Sequence, residues 1–482
     1  MKHQFINITK FFIILWCTVP LFAGCAAVGP DYKEPEMALP STWDSTRSAG
    51  RSQEAESLSA WWKKLNDPVL DSLIDLAVTS NLDLQEAVSR VRQTRYERNI
   101  AQADLYPSLD GSGSVTRSGS SSDEGDSSLY SAGLDASWEI DIFGGVRRSA
   151  ESSVAAYQAQ IEDLHDVLVT LLSEVTINYI DLRTYQQQFL TTQHNIDIQQ
   201  QSKSLTDAMV LSGLSDNLEQ VQASYQLAGT KADLPTLRTS IKGSMNRLCA
   251  LLGKTPGSLD KLLANPAEIP VPEKYIAIGI PADIVRQRPD IRKAERSLAA
   301  QTAKVGVAEA ELYPHFYLSG SLGLQSTSVS SFFSDPTKLW SLGPSMSWSI
   351  FHAGAIRNNI KAQQEIQQQS LLQYQTTVLE AIEEVENNLT GFMDEQQKME
   401  MLAEAVASAK KAFEISTQKF STGLGDFMDV LDAQQALLTY ENQLNESRGN
   451  LATEFVKLYK ALGGSWQKIR PEKEELLKEN EG

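Results

Sequence analysis

Apolar residues recur at helical spacing in 68–104 and 283–311, and two longer helix-forming stretches follow. Residues 150–212 and 355–422 contain no proline and are rich in Ala, Gln, Glu and Leu. At 1.5 Å per residue, about 65 residues predict a helix of about 100 Å, and helices of that length usually pack as coiled coils. A glycine ends each stretch and a second long helix returns from it. The pattern therefore predicts two helical hairpins, with tips near 213–217 and 423–427.

Shorter segments before each hairpin alternate between apolar residues and small or polar residues. The alternation is clearest in Leu134–Ile142, Phe316–Gln325 and Leu342–Ile350. Strands of about ten residues with one apolar and one polar face are typical of a transmembrane barrel with a wet lumen, although a soluble β-sandwich alternates in the same way. On the barrel interpretation, the serine-rich segments 117–129 and 326–338 are extracellular loops.

The chain is an internal duplication. Landmarks recur 207 residues later as far as Pro107 and 210 residues later from Trp138 onwards, which places a three-residue length difference between these two landmarks, in a strand hairpin. In each half, the pattern predicts one helix (68–104 or 283–311), then two strands, then two long helices. Four strands cannot close a barrel, whereas two copies give eight strands and three give twelve, and the pattern does not choose between them. The landmarks are Asp83-Leu84 with Asp290-Ile291, Leu105-Tyr106-Pro107 with Leu312-Tyr313-Pro314, Trp138 with Trp348, and Gly213-Leu214 with Gly423-Leu424.

The N-terminus has the form of a bacterial lipoprotein signal. Lys2 and Lys10 precede an apolar run, Phe11–Phe22, that is too short to span a bilayer. Two small residues, Ala23 and Gly24, stand immediately before Cys25. We therefore predict cleavage before Cys25 and lipidation of its thiol, with an ordinary secretory signal cut nearby as the alternative. Ala26, in place of an acidic residue, favours the outer membrane over retention at the inner membrane.

Composition argues against several classes of function. The 482 residues carry a formal net charge of −18, with 61 acidic against 43 basic residues, so nucleic acid is not an expected partner. Three cysteines cannot form a disulfide framework or a cysteine-rich zinc site. Gly253-Lys254-Thr255 has the form of the end of a phosphate-binding loop, but the earlier glycine of that motif is missing. The sequence predicts no enzyme activity, no cofactor and no metal site.

Four motifs resemble one known family. Ile284–Glu295, Tyr313-Pro314, Asp429–Ala433 and Tyr459–Gly464 are similar to motifs of the TolC-like outer-membrane efflux lipoproteins of the NodT/OprM type. The resemblance implies an α+β membrane protein, a homotrimer whose twelve-stranded outer-membrane β-barrel is continuous with a long periplasmic α-helical barrel. It also implies two partners, a periplasmic adaptor and an inner-membrane efflux pump. The implied function is passive conduction of small molecules such as drugs to the outside.

The resemblance also implies a division of the chain. The two efflux repeats are separated by a linker that would contribute, with the N-terminal segment, to an equatorial belt at mid-height. The segments are a signal peptide (1–24), a lipid-anchored N-terminal segment (25–66), repeat 1 (67–255), the linker (256–282), repeat 2 (283–465) and a charged C-terminal tail (466–482).

The functional residues that the resemblance implies lie at the hairpin tips. Asp429 and Asp432 are three residues apart near the start of a returning helix, so they share a face. Together with Glu219 they are predicted to line a narrow periplasmic gate; the alternative is that acids at a helix start simply favour the helix dipole. The predicted adaptor contacts are Gly213, Leu214, Gly423 and Leu424.

Some interpretations stay open at the level of sequence. Arg147 and Arg148 follow the passage from strand to helix and could line the lumen or cap that junction. The arginines of Ile284–Glu295 are predicted to be structural, pairing with Asp290 or Glu295. Two other functions also remain open: a lipid-anchored coiled-coil rod without a pore, and the exit duct of a type I protein-secretion system.

Overall fold

Four β-strands and nine α-helices are found in the part of the chain that the computed structural model describes, which is residues 27–37, 60–119, 126–213, 216–272 and 282–464. The strands are β1 Ser108–Ser118, β2 Ser127–Ile140, β3 His315–Ser326 and β4 Thr337–Ser347. The helices are α1 Pro68–Ser80, α2 Leu82–Ala103, α3 Gly145–Leu211, α4 Asn217–Leu251, α5 Asp260–Leu263, α6 Pro289–Ala310, α7 Val329–Ser334, α8 Ala355–Ser421 and α9 Phe427–Ala461. Two 3₁₀ turns, Trp61–Leu65 and Ala282–Gln287, precede α1 and α6.

Helices of equal length occupy equivalent places in the two halves of the chain. Helices α2 and α6 have 22 residues each, α3 and α8 have 67 each, and α4 and α9 have 35 each. The predicted duplication and the two long helical hairpins are confirmed. Within the described ranges, no helix combines the length and the apolar character needed to cross a bilayer.

The predicted first helix, 68–104, is wrong in one respect, because it is broken at Asn81. The buried Asn81 side chain accepts a hydrogen bond from the backbone N–H of Leu84 and donates one to the carbonyl of Leu251, at 2.8 Å each. An asparagine that caps the next helix in this way ends the preceding one. The break therefore separates α1 from α2 and fixes both against the end of α4.

The strands form one antiparallel sheet in the order β1-β2-β3-β4. The strand expected at Leu342–Ile350 is shifted: β4 ends at Ser347, because Ser347 pairs with His315, the first residue of β3, and later residues have no partner there. The serine-rich segment 326–338, expected as a plain loop, contains α7, whose first turn is capped by the Ser328 side chain.

The chain divides into two compact units, each with its own packing. The first draws its described residues from Met1–Met37, Arg90–Glu162 and Arg292–Thr376 and contains the sheet. The second draws its described residues from Ala38–Ser89, Asp163–Ile291 and Thr377–Gly482.

An aromatic cluster forms part of the core of the second unit. The Trp61 side chain is almost fully buried and stacks on Tyr459 of α9, with ring centroids 6.1 Å apart, while Phe455 packs against both rings. Lys64 Nζ donates a hydrogen bond to the Tyr459 hydroxyl at 2.9 Å. These contacts fix the first 3₁₀ turn onto the last helix.

The linker between the repeats is held by side chains of α3. Arg183 donates to the carbonyl of Asn265 at 2.8 Å, and Gln186 and Gln187 donate to the carbonyls of Leu263 and Ala267 at 2.7 Å each. These donors provide hydrogen-bond partners for backbone carbonyls of a segment that has little regular secondary structure. Linker residues 273–281 lie outside the described part of the chain.

Candidate functional site

The sheet separates apolar from polar side chains between its two faces. In the register, Leu134 of β2 lies opposite Leu322 of β3, which lies opposite Trp340 of β4. Partners in an antiparallel pair share a face, and that face alternates along each strand. The apolar face therefore carries Leu109, Val115, Tyr130, Ala132, Leu134, Ala136, Trp138, Ile140, Phe316, Leu318, Leu322, Leu324, Trp340, Leu342 and Met346.

This apolar face is uncovered in the single chain. Leu322 is 61% exposed, Trp340 78% and Leu342 70%. A contiguous apolar surface of this kind marks a region that contacts a membrane or another protein. A sheet of a soluble sandwich would instead bury this face against a second sheet.

The opposite face is hydrogen-bonded through short polar side chains. Ser112 donates to Asp135 at 3.0 Å, and the hydroxyl pair Ser321 and Ser341 lies 2.8 Å apart. Asp110 lies directly opposite Asp135 in the register, so two like charges share this face, and both side chains are exposed so that solvent can screen their repulsion. Leucines enter the polar face only towards the hairpin loops, at Leu129 and Leu339. The face is suited to line a water-filled passage.

The ends of the strands near the helices carry an ordered set of aromatic and charged groups. Trp138 Nε1 donates to the carbonyl of Leu105 at 3.0 Å, and its repeat equivalent Trp348 donates to the carbonyl of Leu312 at 3.1 Å. On the polar face, His315 Nδ1 lies 2.7 Å from a carboxylate oxygen of Glu139. Tryptophans with a satisfied N–H are typical of the boundary between a bilayer and water.

The outer edges of β1 and β4 have no strand partner in the described chain. Open edges expose unpaired backbone donors and acceptors, which is not tolerated in lipid. The sheet can therefore work in a membrane only when further strands complete it.

The two hairpin tips have the same construction. Gly213 and Gly423 adopt the left-handed conformation with φ of +70° and +73°, and a side-chain carbon at either position would meet nothing within 4 Å. Glycine is therefore needed there for backbone conformation rather than for space. Asp216 and Asp426 then cap α4 and α9, accepting backbone hydrogen bonds through their side chains.

The candidate gate residues lie at equivalent turns of the two returning helices. Asp429 and Asp432 are exposed on one face of the start of α9, and Glu219 is half-buried at the start of α4. Of the candidate adaptor contacts, Leu424 is 82% exposed, whereas Leu214 lies outside the described residues.

An apolar cluster packs behind these acids and joins the two tips. Phe420 and Phe427 lie with ring centroids 5.1 Å apart, and the buried side chains of Ala223, Val430 and Leu431 pack around them. The side of α9 that carries Val430 and Leu431 is thus held, which leaves the acidic side of the same helix turned to solvent. The structure establishes this placement of Asp429 and Asp432; their role as a gate remains a prediction.

A buried polar contact line between α3 and α9 was missed from the sequence. Asn195 Nδ2 donates to Glu441 at 3.0 Å, Asn445 Nδ2 donates to Thr191 Oγ1 at 3.0 Å, and Gln434 Nε2 donates to Ser202 Oγ at 2.7 Å. Polar residues 191, 195 and 202 are spaced by four and seven, the spacing of a coiled-coil contact line. The spacing could have indicated this contact line from the sequence, but polar residues at helical spacing more commonly lie on an exposed helix face. Buried amides of this kind set the register of a helix pair rather than its strength.

Two carboxylates of α3, Asp207 and Asp181, have pKa values shifted in opposite directions. The ammonium of Lys203, 2.6 Å away, and a hydrogen bond from Gln220 lower the pKa of Asp207 and link α3 to the start of α4. Burial raises the pKa of Asp181, which lies further back on α3, and the charge of Lys457 only partly offsets that effect.

The arginine-rich motif is structural, as predicted. Arg288 is nearly buried, forms a two-point ion pair with Asp290 at 2.8 and 3.1 Å, and also pairs with Glu384 at 2.8 Å. It donates a further hydrogen bond to the carbonyl of Ala461 at 2.6 Å, which ties α6 to the end of α9. Arg292 pairs with Glu162 rather than with either predicted partner.

Comparison with known proteins gives a consistent result over most of the chain. Residues 73–254 and 280–464 match the family model described as outer membrane efflux protein. Nodulation protein T of Rhizobium leguminosarum bv. trifolii is 33% identical over 450 residues, covering 92% of this chain and 94% of the relative. The toluene efflux pump outer membrane protein TtgI of Pseudomonas putida is 30% identical over 465 residues, covering 93% of this chain and 98% of the relative.

Solved structures agree with this result. The outer-membrane channel OprN superposes with a TM-score of 0.86 at 33% identity, covering 92% of this chain and all of that one. The transmembrane channel CusC superposes with a TM-score of 0.83 at 26% identity, covering 91% of this chain and all of that one.

Proposed function

Because this chain belongs to the outer membrane efflux protein family, we propose that it is the exit duct of a tripartite efflux system in the outer membrane. In this role it conducts small molecules passively to the outside, after an inner-membrane pump and a periplasmic adaptor have delivered them. The chemistry of such a duct needs no catalytic residue and no cofactor.

The observation that carries the proposal is the sheet, with one uncovered apolar face, one polar face of short side chains and two open edges among the described strands. Three copies joined β4 to β1 would give twelve antiparallel strands without an open edge, with the apolar face towards lipid and the polar face towards a lumen. The homotrimer is proposed from the family. The uncovered apolar face disfavours a pore-free rod, because in water it would drive aggregation.

The division of the chain follows from this assignment. We propose repeats at 67–255 and 283–465, with the N-terminal segment 25–66 and the linker 256–282 in an equatorial belt. The contacts of Trp61 with α9 and of the linker with α3 support a belt wrapped on the helices of the second unit. Cys25, outside the described residues, is the proposed lipid attachment site.

The hairpin tips are the proposed entrance and adaptor contact. Three copies would bring six carboxylates of Asp429 and Asp432 into one ring, with Glu219 beside them, which attracts cations and repels anions. Exposed Leu424 and the paired glycine turns at Gly213 and Gly423, together with Leu214, offer an apolar tip for the adaptor.

Two measurements on the same protein test the proposal. A deletion strain is expected to become sensitive to organic solvents and lipophilic drugs, and the purified chain is expected to conduct ions across planar bilayers. Leu424→Asp should abolish rescue of the strain while leaving bilayer conductance intact, because it alters the tip and not the membrane portion. Rescue of the strain by a chain that never conducts would contradict the duct.

A further inference from the structure

The described residues nearest to Cys25 are held in a socket of the first unit. Val28 donates its backbone N–H at 2.9 Å to the carbonyl of Phe143, which lies in the short turn between β2 and α3. The carbonyls of Val28 and Gly29 accept from Arg148, at 3.1 Å and 3.3 Å, and Asp31 accepts from the same guanidinium at 2.7 Å. The Arg148 side chain is only 6% exposed, and its guanidinium pairs with Asp31 of the N-terminal segment and with Glu151 of α3.

The socket is shaped for a close backbone approach. Gly29 has φ of +90°, and a side-chain carbon there would lie 2.4 Å from the Cα of Gly306 in α6. A side-chain carbon on Gly306 would in turn lie 2.9 Å from the stem of Arg148. Two glycines therefore meet where α6 and the N-terminal segment cross, and no larger residue fits without displacement.

Tyr32 adds a third contact between the N-terminal segment and the helices. The Tyr32 hydroxyl donates to Glu295 at 2.9 Å, and the Tyr32 ring packs against Ala155 of α3 and Ala299 and Ala300 of α6. The segment 27–32 is thus bonded to the end of β2 and packed on two helices.

We propose that this socket, with Arg148 as its positioning residue, sets the depth of the sheet in the membrane by fixing the lipidated N-terminus to the helix-proximal end of β2. Only two residues lie between Cys25 and Val28, so the three residue steps reach at most about 11 Å. Acyl chains on Cys25 therefore enter the bilayer beside the start of the apolar face. The helix-proximal strand ends then lie at the leaflet that holds the anchor, and the α7 hairpin lies at the far side. The inference rests on the proposed outer-membrane function.

A double-mutant cycle between anchor and socket tests the proposal. The four forms are the full chain, full-chain Arg148→Met, a chain secreted with an ordinary cleavable signal and Cys25→Ser, and that unlipidated chain with Arg148→Met. The readout is the temperature at which the oligomer dissociates in lipid vesicles, with hydrogen exchange of the Val28 amide as a local reporter. Arg147→Met is the comparison variant, because the Arg147 guanidinium pairs with the Asp141 carboxylate and donates to the Asp141 carbonyl.

The expected result is that Arg148→Met lowers the dissociation temperature of the lipidated chain and reduces Val28 protection about tenfold. In the unlipidated chain the same substitution should cause little further loss of dissociation temperature, since the anchor through which it acts is gone. Equal losses with and without lipid, or no loss at all, would overturn the proposal. Gly29→Ala should reproduce the Arg148→Met result by blocking the socket sterically, whereas Gly229→Ala, with open space around it, should not. Conductance of the unmutated chain tests the duct separately.

Discussion

A single charge on the apolar face of β3 gives the sharpest prediction. The change is Leu322→Arg, with Ser321→Arg as the matched control one residue away on the polar face. The twelve residues of β3 cover about 36 Å of strand, or about 26 Å of depth at a tilt near 45°, which matches an apolar band of about 25 Å. Leu322 lies within about 4 Å of the middle of that depth.

An arginine facing lipid at the midplane costs about 2–4 kcal/mol per chain, which corresponds to a folding equilibrium weakened roughly 30- to 1,000-fold. In water, the same substitution at a side chain that is 61% exposed would change stability by about 0.5 kcal/mol or less. Ser321→Arg places its charge opposite Asp135, a favourable cross-strand pair, and should fold normally.

The assay is refolding of each variant from urea into lipid vesicles, followed by the fraction of heat-resistant oligomer. We expect Leu322→Arg to lose most of the oligomer and Ser321→Arg to retain it with reduced cation conductance. Equal behaviour of the two variants in refolding would refute the assignment of the faces.

Three further predictions concern the second unit. Asp429→Asn with Asp432→Asn should remove block of bilayer conductance by divalent cations, and unchanged block would refute the acidic entrance. Asp181→Asn should stabilise the protein at pH 7. Burial raises the pKa of Asp181 in the folded state, so the stabilisation that the neutral carboxyl gives to the folded state is present below the unfolded pKa and is lost as pH rises through the folded pKa. At pH 7 the buried carboxylate is charged, and the neutral amide removes the cost of burying that charge. Thermal unfolding at pH 7 and pH 4 checks this, with the advantage expected to shrink at pH 4 and to be absent for the exposed control Asp197→Asn. Trp61→Ala should cost about 3–5 kcal/mol in unfolding free energy, since Trp61 is 1% exposed, and Trp61→Phe should cost less; equal values would contradict stacking on α9.

Sequence pattern predicted the regular elements well because it depends on local properties, the absence of helix breakers and the separation of apolar from polar side chains on two faces. The proline-free stretches became α3 and α8, and the alternation in Leu134–Ile142 and Phe316–Gln325 became β2 and β3. The family resemblance read from the motifs is confirmed by the family match over both repeats.

Contacts between segments far apart in sequence could not be read in this way. Asn81 looked like an ordinary helix position because its partner, the carbonyl of Leu251, is 170 residues away. Sequence alone did not decide whether Arg148 lines the lumen or caps the strand-to-helix junction. The reason is the same, because its acceptors at Val28, Gly29 and Asp31 lie more than a hundred residues earlier in the chain. Such partners are set by tertiary packing, which local patterns do not encode.

We assign the polar face of the sheet to a water-filled lumen and the apolar face to lipid, and chemical labelling tests this assignment directly. Single cysteines at positions 318–323 of β3, in a Cys249→Ser background, can be treated in intact cells with a charged maleimide that does not cross membranes. We expect labelling at 319, 321 and 323 and protection at 318, 320 and 322. Uniform labelling, or stronger labelling of the even positions, would contradict it.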